Sequence, residues 1–131
     1  MMANWLTITD LEEEYGVGDF PVDENNAPLY NVVEDAIEDA QFFIEGYLRR
    51  AGVELPANDT VIKQVRKCAL IITRYYYSFK TEYMTEELIR EYDSMKKFLS
   101  DIGSGKVIID DGEGGIGNKN GGLTNVEIFI L

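Results

Sequence analysis

The sequence contains no histidine and a single cysteine, Cys68. A histidine-based catalytic triad, a histidine-ligated zinc site, an iron–sulfur cluster and an internal disulfide are therefore excluded. Basic residues are also few, because 12 Lys and Arg stand against 24 Asp and Glu, for a net charge of −12. Since affinity for phosphates comes from clustered Lys and Arg, this balance argues against a general nucleic-acid binder. What remains is carboxylate, lysine or lone-thiol chemistry, or no chemistry at all, and of these we expect a protein without catalytic residues, metal or cofactor.

Long hydrophobic runs are missing as well. The apolar stretch from Ala69 to Ile72 is far shorter than the ~20 residues that a membrane span requires. Met1 to Trp5 contains no basic residue, so we expect no secretion signal and no membrane association. The chain does have 131 residues, of which 45% are hydrophobic. That is enough for one domain with a buried core.

The sequence up to residue 102 predicts an all-α domain, an antiparallel bundle of about four helices. Thr9 and Glu12 fit a capping box at the start of a short first helix, which Gly16 ends. From Leu29 to about Arg50, apolar residues recur at alternating steps of three and four, which predicts a long amphipathic helix. Acidic residues lie near its start and basic residues at its end, as the helix dipole favours.

Two further helices follow. Asn58 or Asp59 can cap the third helix, whose apolar band widens toward Phe79. This widening predicts that the third helix is the central, most buried one. Cys68 lies on the band and is expected to be a small buried hydrophobe. Thr85 caps the fourth helix, and Gly103 ends it.

Residues 103–131 form a second unit, a glycine-rich C-terminal arm that ends in a predicted β-strand. Such a strand must be paired or buried, because an exposed apolar strand invites aggregation. It can fold back on residues 107–109 as a hairpin, or it can add to a sheet of another chain. We favour pairing with another chain. The predicted interface residues are Val126, Ile128, Phe129, Ile130 and Leu131.

Two patterns resemble binding motifs without meeting their requirements. Residues 112–117 match G-x-G-x-x-G, but the sequence that follows cannot form the helix that would face a dinucleotide pyrophosphate. In the third helix, Lys and Arg alternate with aromatic residues, as in some binders of single-stranded nucleic acid. We expect these rings to belong to the core and the basic residues to form ion pairs with the acidic second helix.

Several strings of residues occur together in a characteristic order and spacing. They are Ile8–Leu11 with Tyr15–Gly16, Val33–Ala40 running on to Ile44–Arg49 and Leu55–Pro56, Ala69–Tyr76, and Tyr92 to Lys106. Over about residues 6–108, the sequence resembles the Mu-like phage family of small head–tail connector (adaptor) proteins. The resemblance implies a helical virion protein at the head–tail interface, without catalytic residues, that is assembled in the host cytoplasm.

Such connectors form a homo-oligomeric ring, typically a dodecamer, beneath the portal protein. The ring extends the DNA channel toward tail-side connector or tail proteins, and DNA passes without specific binding. An acidic channel wall suits this role because it repels DNA phosphates. The candidate channel-facing residues are Glu34, Asp35, Glu38 and Asp39. The alternative is a monomeric acidic DNA mimic that inhibits a nucleic-acid-binding protein.

Overall fold

The computed structural model describes residues 4–79, 81 and 84–112, and within them the protein is all-α. The elements are α1 (Ile8–Tyr15), a single 3-10 turn (Val17–Asp19), α2 (Tyr30–Arg50), α3 (Asp59–Ser78) and α4 (Glu86–Gly103). The described residues contain no β-strand, only an isolated antiparallel bridge. The four predicted helices are confirmed, whereas the predicted terminal strand lies outside the described residues.

The three long helices pack on one another as a bundle, and α1 lies against α2. Tyr75 near the end of α3 stacks on Tyr92 near the start of α4, with 3.7 Å between the ring centroids and 4° between the planes. Tyr47 near the end of α2 lies beside Gly103 at the end of α4. Helices α2 and α4 therefore run in the same direction, and α3 runs opposite to both.

The start of α1 differs from the prediction. Its N-cap is Thr7, not Thr9, and Thr7 forms a reciprocal capping box with Asp10. Leu6 just before the cap and Leu11 in the second turn are both fully buried. This pair is a hydrophobic staple, which fixes the approach of the chain to the helix. A helix capped by Thr9 would lack such a pair, since the corresponding second-turn position is the exposed Glu13.

Helix α3 is the most buried helix, as predicted. It has ten buried residues, against eight in α2 and three in α4. Asn58 caps it through its side chain, which accepts from the Val61 amide at 3.0 Å. One detail of its predicted band is wrong. Tyr77 is fully buried because it packs against Phe20 and bonds Asp19, whereas Phe79, which follows the last residue of the helix, is 62% exposed.

The segment after α4 is held on the bundle through residue 111. Ile109 is buried in the core. Gln64 of α3 donates to the Asp110 carbonyl at 2.6 Å and accepts from its amide at 3.0 Å, and Asn58 donates to the Asp111 carbonyl at 2.8 Å. Gly112 then has a φ of +82°, and a Cβ there would lie 2.9 Å from Thr60 Oγ1. The first part of the predicted arm is thus bound to α3.

Candidate interaction surface

The four candidate channel-facing carboxylates form one exposed face on the N-terminal half of α2. Glu34, Asp35, Glu38 and Asp39 are all exposed. Among the described residues, none of them takes part in an ion pair. We call this set the acidic face. The structure places the four residues together, and their facing a channel stays a prediction.

A groove of about 510 Å³ lies beside the acidic face. It is lined by Asp39, Phe42, Phe43, Gly46, Tyr47, Arg50 and Tyr76. Phe43 and Tyr47 make an edge-to-face contact at 5.3 Å, and the Arg50 guanidinium lies 4.9 Å from the centroid of the Tyr47 ring. Burial raises the pKa of Tyr76, so its hydroxyl stays protonated. The groove therefore has aromatic walls, with a carboxylate at one end and a guanidinium at the other.

The basic residues of α3 do not pair with α2, which corrects the prediction. Arg66 instead bonds Asp10 of α1 at 3.2 Å, and Arg74 bonds Asp19 of the 3-10 turn. The first 51 residues hold most of the acidic excess, but α1 and its following turn are the part that lies over the α3 guanidinium groups. Two of the basic residues are thus used to attach the N-terminal segment. Lys80, also part of the predicted pattern, lies outside the described residues.

The Asp19 cluster is the most enclosed polar contact of this attachment. Arg74 donates from Nε and from a terminal nitrogen to the two carboxylate oxygens of Asp19, at 2.9 and 3.0 Å. The Tyr77 hydroxyl donates to the same carboxylate at 2.6 Å. The Arg74 guanidinium also lies 4.6 Å from the centroid of the Tyr15 ring. Burial raises the pKa of Tyr15 to about 12.

A second polar contact, which the sequence interpretation missed, joins the N-terminus to α2. The buried Gln41 accepts from the Leu6 amide at 2.9 Å and donates to the Asn4 side chain at 3.2 Å. One turn later, Glu45 is only 4% exposed and accepts a long hydrogen bond, 3.5 Å, from the Trp5 indole. The sequence did contain a signal for this contact. Gln41 and Glu45 are two polar residues, four positions apart, on the otherwise apolar side of α2.

We expect Glu45→Gln to increase stability at neutral pH. Burial raises the pKa of the Glu45 carboxyl, against the smaller opposing effects of the Trp5 hydrogen bond and Arg49. The folded state therefore favours the protonated carboxyl, and the wild type loses stability as the pH rises through and above the ordinary value of 4.5. The glutamine variant should lose this dependence while retaining an oxygen for the indole. Denaturant unfolding between pH 4 and pH 8, followed by fluorescence of the single tryptophan, measures it.

The exposed Glu34→Gln provides the control and should leave the pH profile unchanged. A Glu45→Gln variant that is less stable than the wild type at pH 7 would show that the ionised carboxylate is required.

Cys68 is buried, as predicted, and burial raises the pKa of its thiol to about 11. Within the described residues there is no cluster of three or more potential metal ligands. None of the described helices has the length and apolar character needed to cross a bilayer. The predicted interface residues Val126, Ile128, Phe129, Ile130 and Leu131 lie outside the described residues.

Fold and surface define a small acidic helical-bundle protein with an exposed carboxylate face beside an aromatic groove. The family described as Bacteriophage Mu, Gp36 matches residues 3–127 of the sequence. The chain belongs to this family and is a Mu-like phage protein. Membership places it among phage structural and morphogenesis proteins. No curated protein matches the sequence.

Proposed function

We propose that this protein is a head–tail connector, a subunit of a ring that lies beneath the portal and extends the DNA channel toward the tail. The observation that carries the proposal is the family match, which spans residues 3–127 and so includes the whole described bundle. The proposed partners are further copies of the chain, the portal protein above and a tail-side protein below.

The acidic face supports this function on physical grounds. Helix α2 has 21 residues, so at ~1.5 Å per residue it is about 30 Å long, enough to form part of a channel wall. Carboxylates on such a wall repel phosphates, so DNA can slide without binding. The same residues are not needed to hold the described fold together, because none of them is buried or forms an ion pair within it.

The direct experiment is a cryo-EM reconstruction of the assembled phage particle. The expected result is a closed ring of this chain around the channel axis between portal and tail, with α2 nearest to the axis. Density for the chain at any other position in the particle would overturn the proposal. So would particles from which the protein is absent.

Reversing the charge of the acidic face should impair DNA passage. Replacing Glu34, Asp35, Glu38 and Asp39 by lysine changes the net charge from −12 to −4 and creates a basic patch. Such a patch binds duplex DNA with a strong dependence on salt. We expect particles that carry this variant to assemble, to eject DNA more slowly and to lose infectivity. Ejection kinetics and plaque counts measure these effects.

A control variant with the same net charge separates position from total charge. Glu13, Glu14, Glu24 and Glu54 are also exposed, and they lie outside the acidic face. Replacing these four by lysine should leave ejection near the wild-type rate. Equal impairment by both variants would mean that overall charge matters and that the acidic face has no special position.

A further inference from the structure

The outer side of α2 carries a stripe of exposed residues, interrupted by the half-buried Gly46, that includes part of the acidic face. Its members are Asp35, Asp39, Phe42, Gly46 and Arg49. They recur at steps of four, three, four and three, which places them on one side of the helix. Phe42 is 78% exposed, the highest value of any large hydrophobic residue in the described chain. Such exposure is unusual for a phenylalanine. An exposed apolar side chain next to an apolar groove is typical of an interaction site.

The stripe is complementary to itself in one antiparallel register. When two copies of α2 lie antiparallel with Phe42 of each opposite Gly46 of the other, Asp39 lies beside Arg50 of the other copy, at the same edge of the contact and within one residue of the same level. In the same register Glu38 lies beside Arg49 of the other copy, at the opposite edge of the contact. The two-fold axis repeats both pairs, so four pairs of opposite charge surround the two phenylalanines. Within the described chain neither Arg49 nor Arg50 forms an ion pair, so both are available to a second copy.

Gly46 supplies the space that this register needs. A Cβ built on Gly46 would have no other atom within 4 Å, so the helix surface there is open. The groove that Gly46 lines, with a volume of about 510 Å³, has Phe43, Tyr47 and Tyr76 as its aromatic walls. A phenylalanine from a second copy would enter this groove and exchange water for aromatic contacts, as interface anchors do.

We infer that two copies of this chain associate through α2, with Phe42 of each copy inserted beside Gly46 of the other and Asp39 paired with Arg50. The contact is isologous and therefore closes at two copies. It cannot build a ring, and it conceals the acidic face that the proposed connector turns to the DNA. The dimer is thus a state of the free protein, distinct from the assembled ring, and its existence does not depend on the connector proposal.

Analytical ultracentrifugation of the purified full-length chain over a range of concentrations tests the inference. The wild type should show a monomer–dimer equilibrium. Phe42→Ala should weaken the dimer by about 30-fold or more, since a central aromatic anchor is removed from both copies. Phe79→Ala is the matched control, because Phe79 is 62% exposed but lies at the end of α3. A wild type that stays monomeric at every soluble concentration overturns the inference, as does a dimer that Phe42→Ala leaves unchanged.

Charge exchange tests the antiparallel register. Arg50→Asp alone would place its carboxylate beside Asp39 of the other copy and should weaken the dimer. Asp39→Arg alone should have a similar effect through two guanidinium groups. The double variant restores opposite charges in both pairs and should recover most of the wild-type affinity. Additive weakening in the double variant would contradict this register.

Two more variants distinguish a contact through the groove beside α2 from a contact through the C-terminal arm. Gly46→Leu fills the groove with a residue that favours helix, so the monomer should fold while the dimer is lost. Deletion of residues 123–131 should leave the dimer intact, because the contact uses α2 and the neighbouring Tyr76 of α3. Loss of the dimer on this deletion would assign the association to the C-terminal arm and overturn the inference. Cryo-EM of particles tests the connector ring separately, so either proposal can fail without the other.

Discussion

Deletion of residues 123–131 is expected to abolish the formation of infectious particles while leaving the bundle folded. The deleted segment contains the apolar residues Val126, Ile128, Phe129, Ile130 and Leu131. Five such side chains, at about 1.5–3 kcal/mol each when buried, contribute on the order of 10 kcal/mol before ordering costs. If the segment pairs with a neighbouring chain, this is a large share of the contact energy of the assembly. Complementation of a phage that lacks the gene, with plaque counts, measures the effect.

The described contacts explain why the bundle should survive this deletion. The last ones that hold the C-terminal segment to α3 involve Asp110 and Asp111, well before the cut. Thermal unfolding of the truncated protein should therefore match that of the full chain. Replacing Ile128 and Phe129 by Asp at full length is the matched control, and it should reproduce the loss of particles. Normal plaque counts for both variants would show that the segment is not needed for assembly.

The same deletion separates the connector from the DNA-mimic alternative. A monomeric acidic inhibitor would act through its folded acidic surface, which the deletion leaves in place. It should therefore keep its effect on a nucleic-acid-binding target. If truncation abolishes particle assembly, and the full-length protein does not inhibit a nucleic-acid-binding target, then the protein is a structural component.

Asp19→Ala should destabilise the protein by about 2–3 kcal/mol, because it leaves a partly buried guanidinium and a buried hydroxyl without their shared acceptor. The Asp19 side chain is 13% exposed and that of Arg74 is 31% exposed, so water replaces only part of what is lost. Tyr77→Phe removes a single hydrogen bond and should cost about 1 kcal/mol. Urea unfolding monitored by circular dichroism gives both values.

The neighbouring loop residue Glu24 is exposed and provides the control. Glu24→Ala should change the free energy of unfolding by less than about 0.5 kcal/mol. A double-mutant cycle of Asp19→Ala with Arg74→Ala should show strong coupling between the two positions. Equal costs for Asp19→Ala and Glu24→Ala would mean that the cluster does not fasten the 3-10 turn to α3.

The sequence predicted the helices well because their signals are local. Asn58 and Thr85 are side-chain caps at the predicted positions, each accepting from the amide three residues later. Periodicity identified the buried side of α2 and the central place of α3. The one misplaced helix start shows the limit of such signals. Thr7 with Asp10 and Thr9 with Glu12 both have capping-box spacing, and only the apolar pair Leu6 and Leu11 distinguishes them.

Contacts between residues that are far apart in the chain could not be predicted from these patterns. The net acidity of the first 51 residues suggested that α3 cations pair with α2, whereas Arg66 and Arg74 bind Asp10 and Asp19. Charge counts describe how much of each sign a segment holds, and they carry no information on which segment lies over a given guanidinium. The buried Gln41 contact with the Leu6 amide was missed for the same reason.

The sequence by itself determined the all-α class, the helix boundaries to within about two residues, the exposed acidic half of α2 and the family. These depend on local periodicity, capping and composition. Only the tertiary structure decided where the N-terminal segment docks, how residues 110–112 attach to the first turns of α3, and that Phe42 and Gly46 lie beside an aromatic groove. Those features depend on contacts between residues far apart in the chain, and no local pattern specifies which distant surfaces meet.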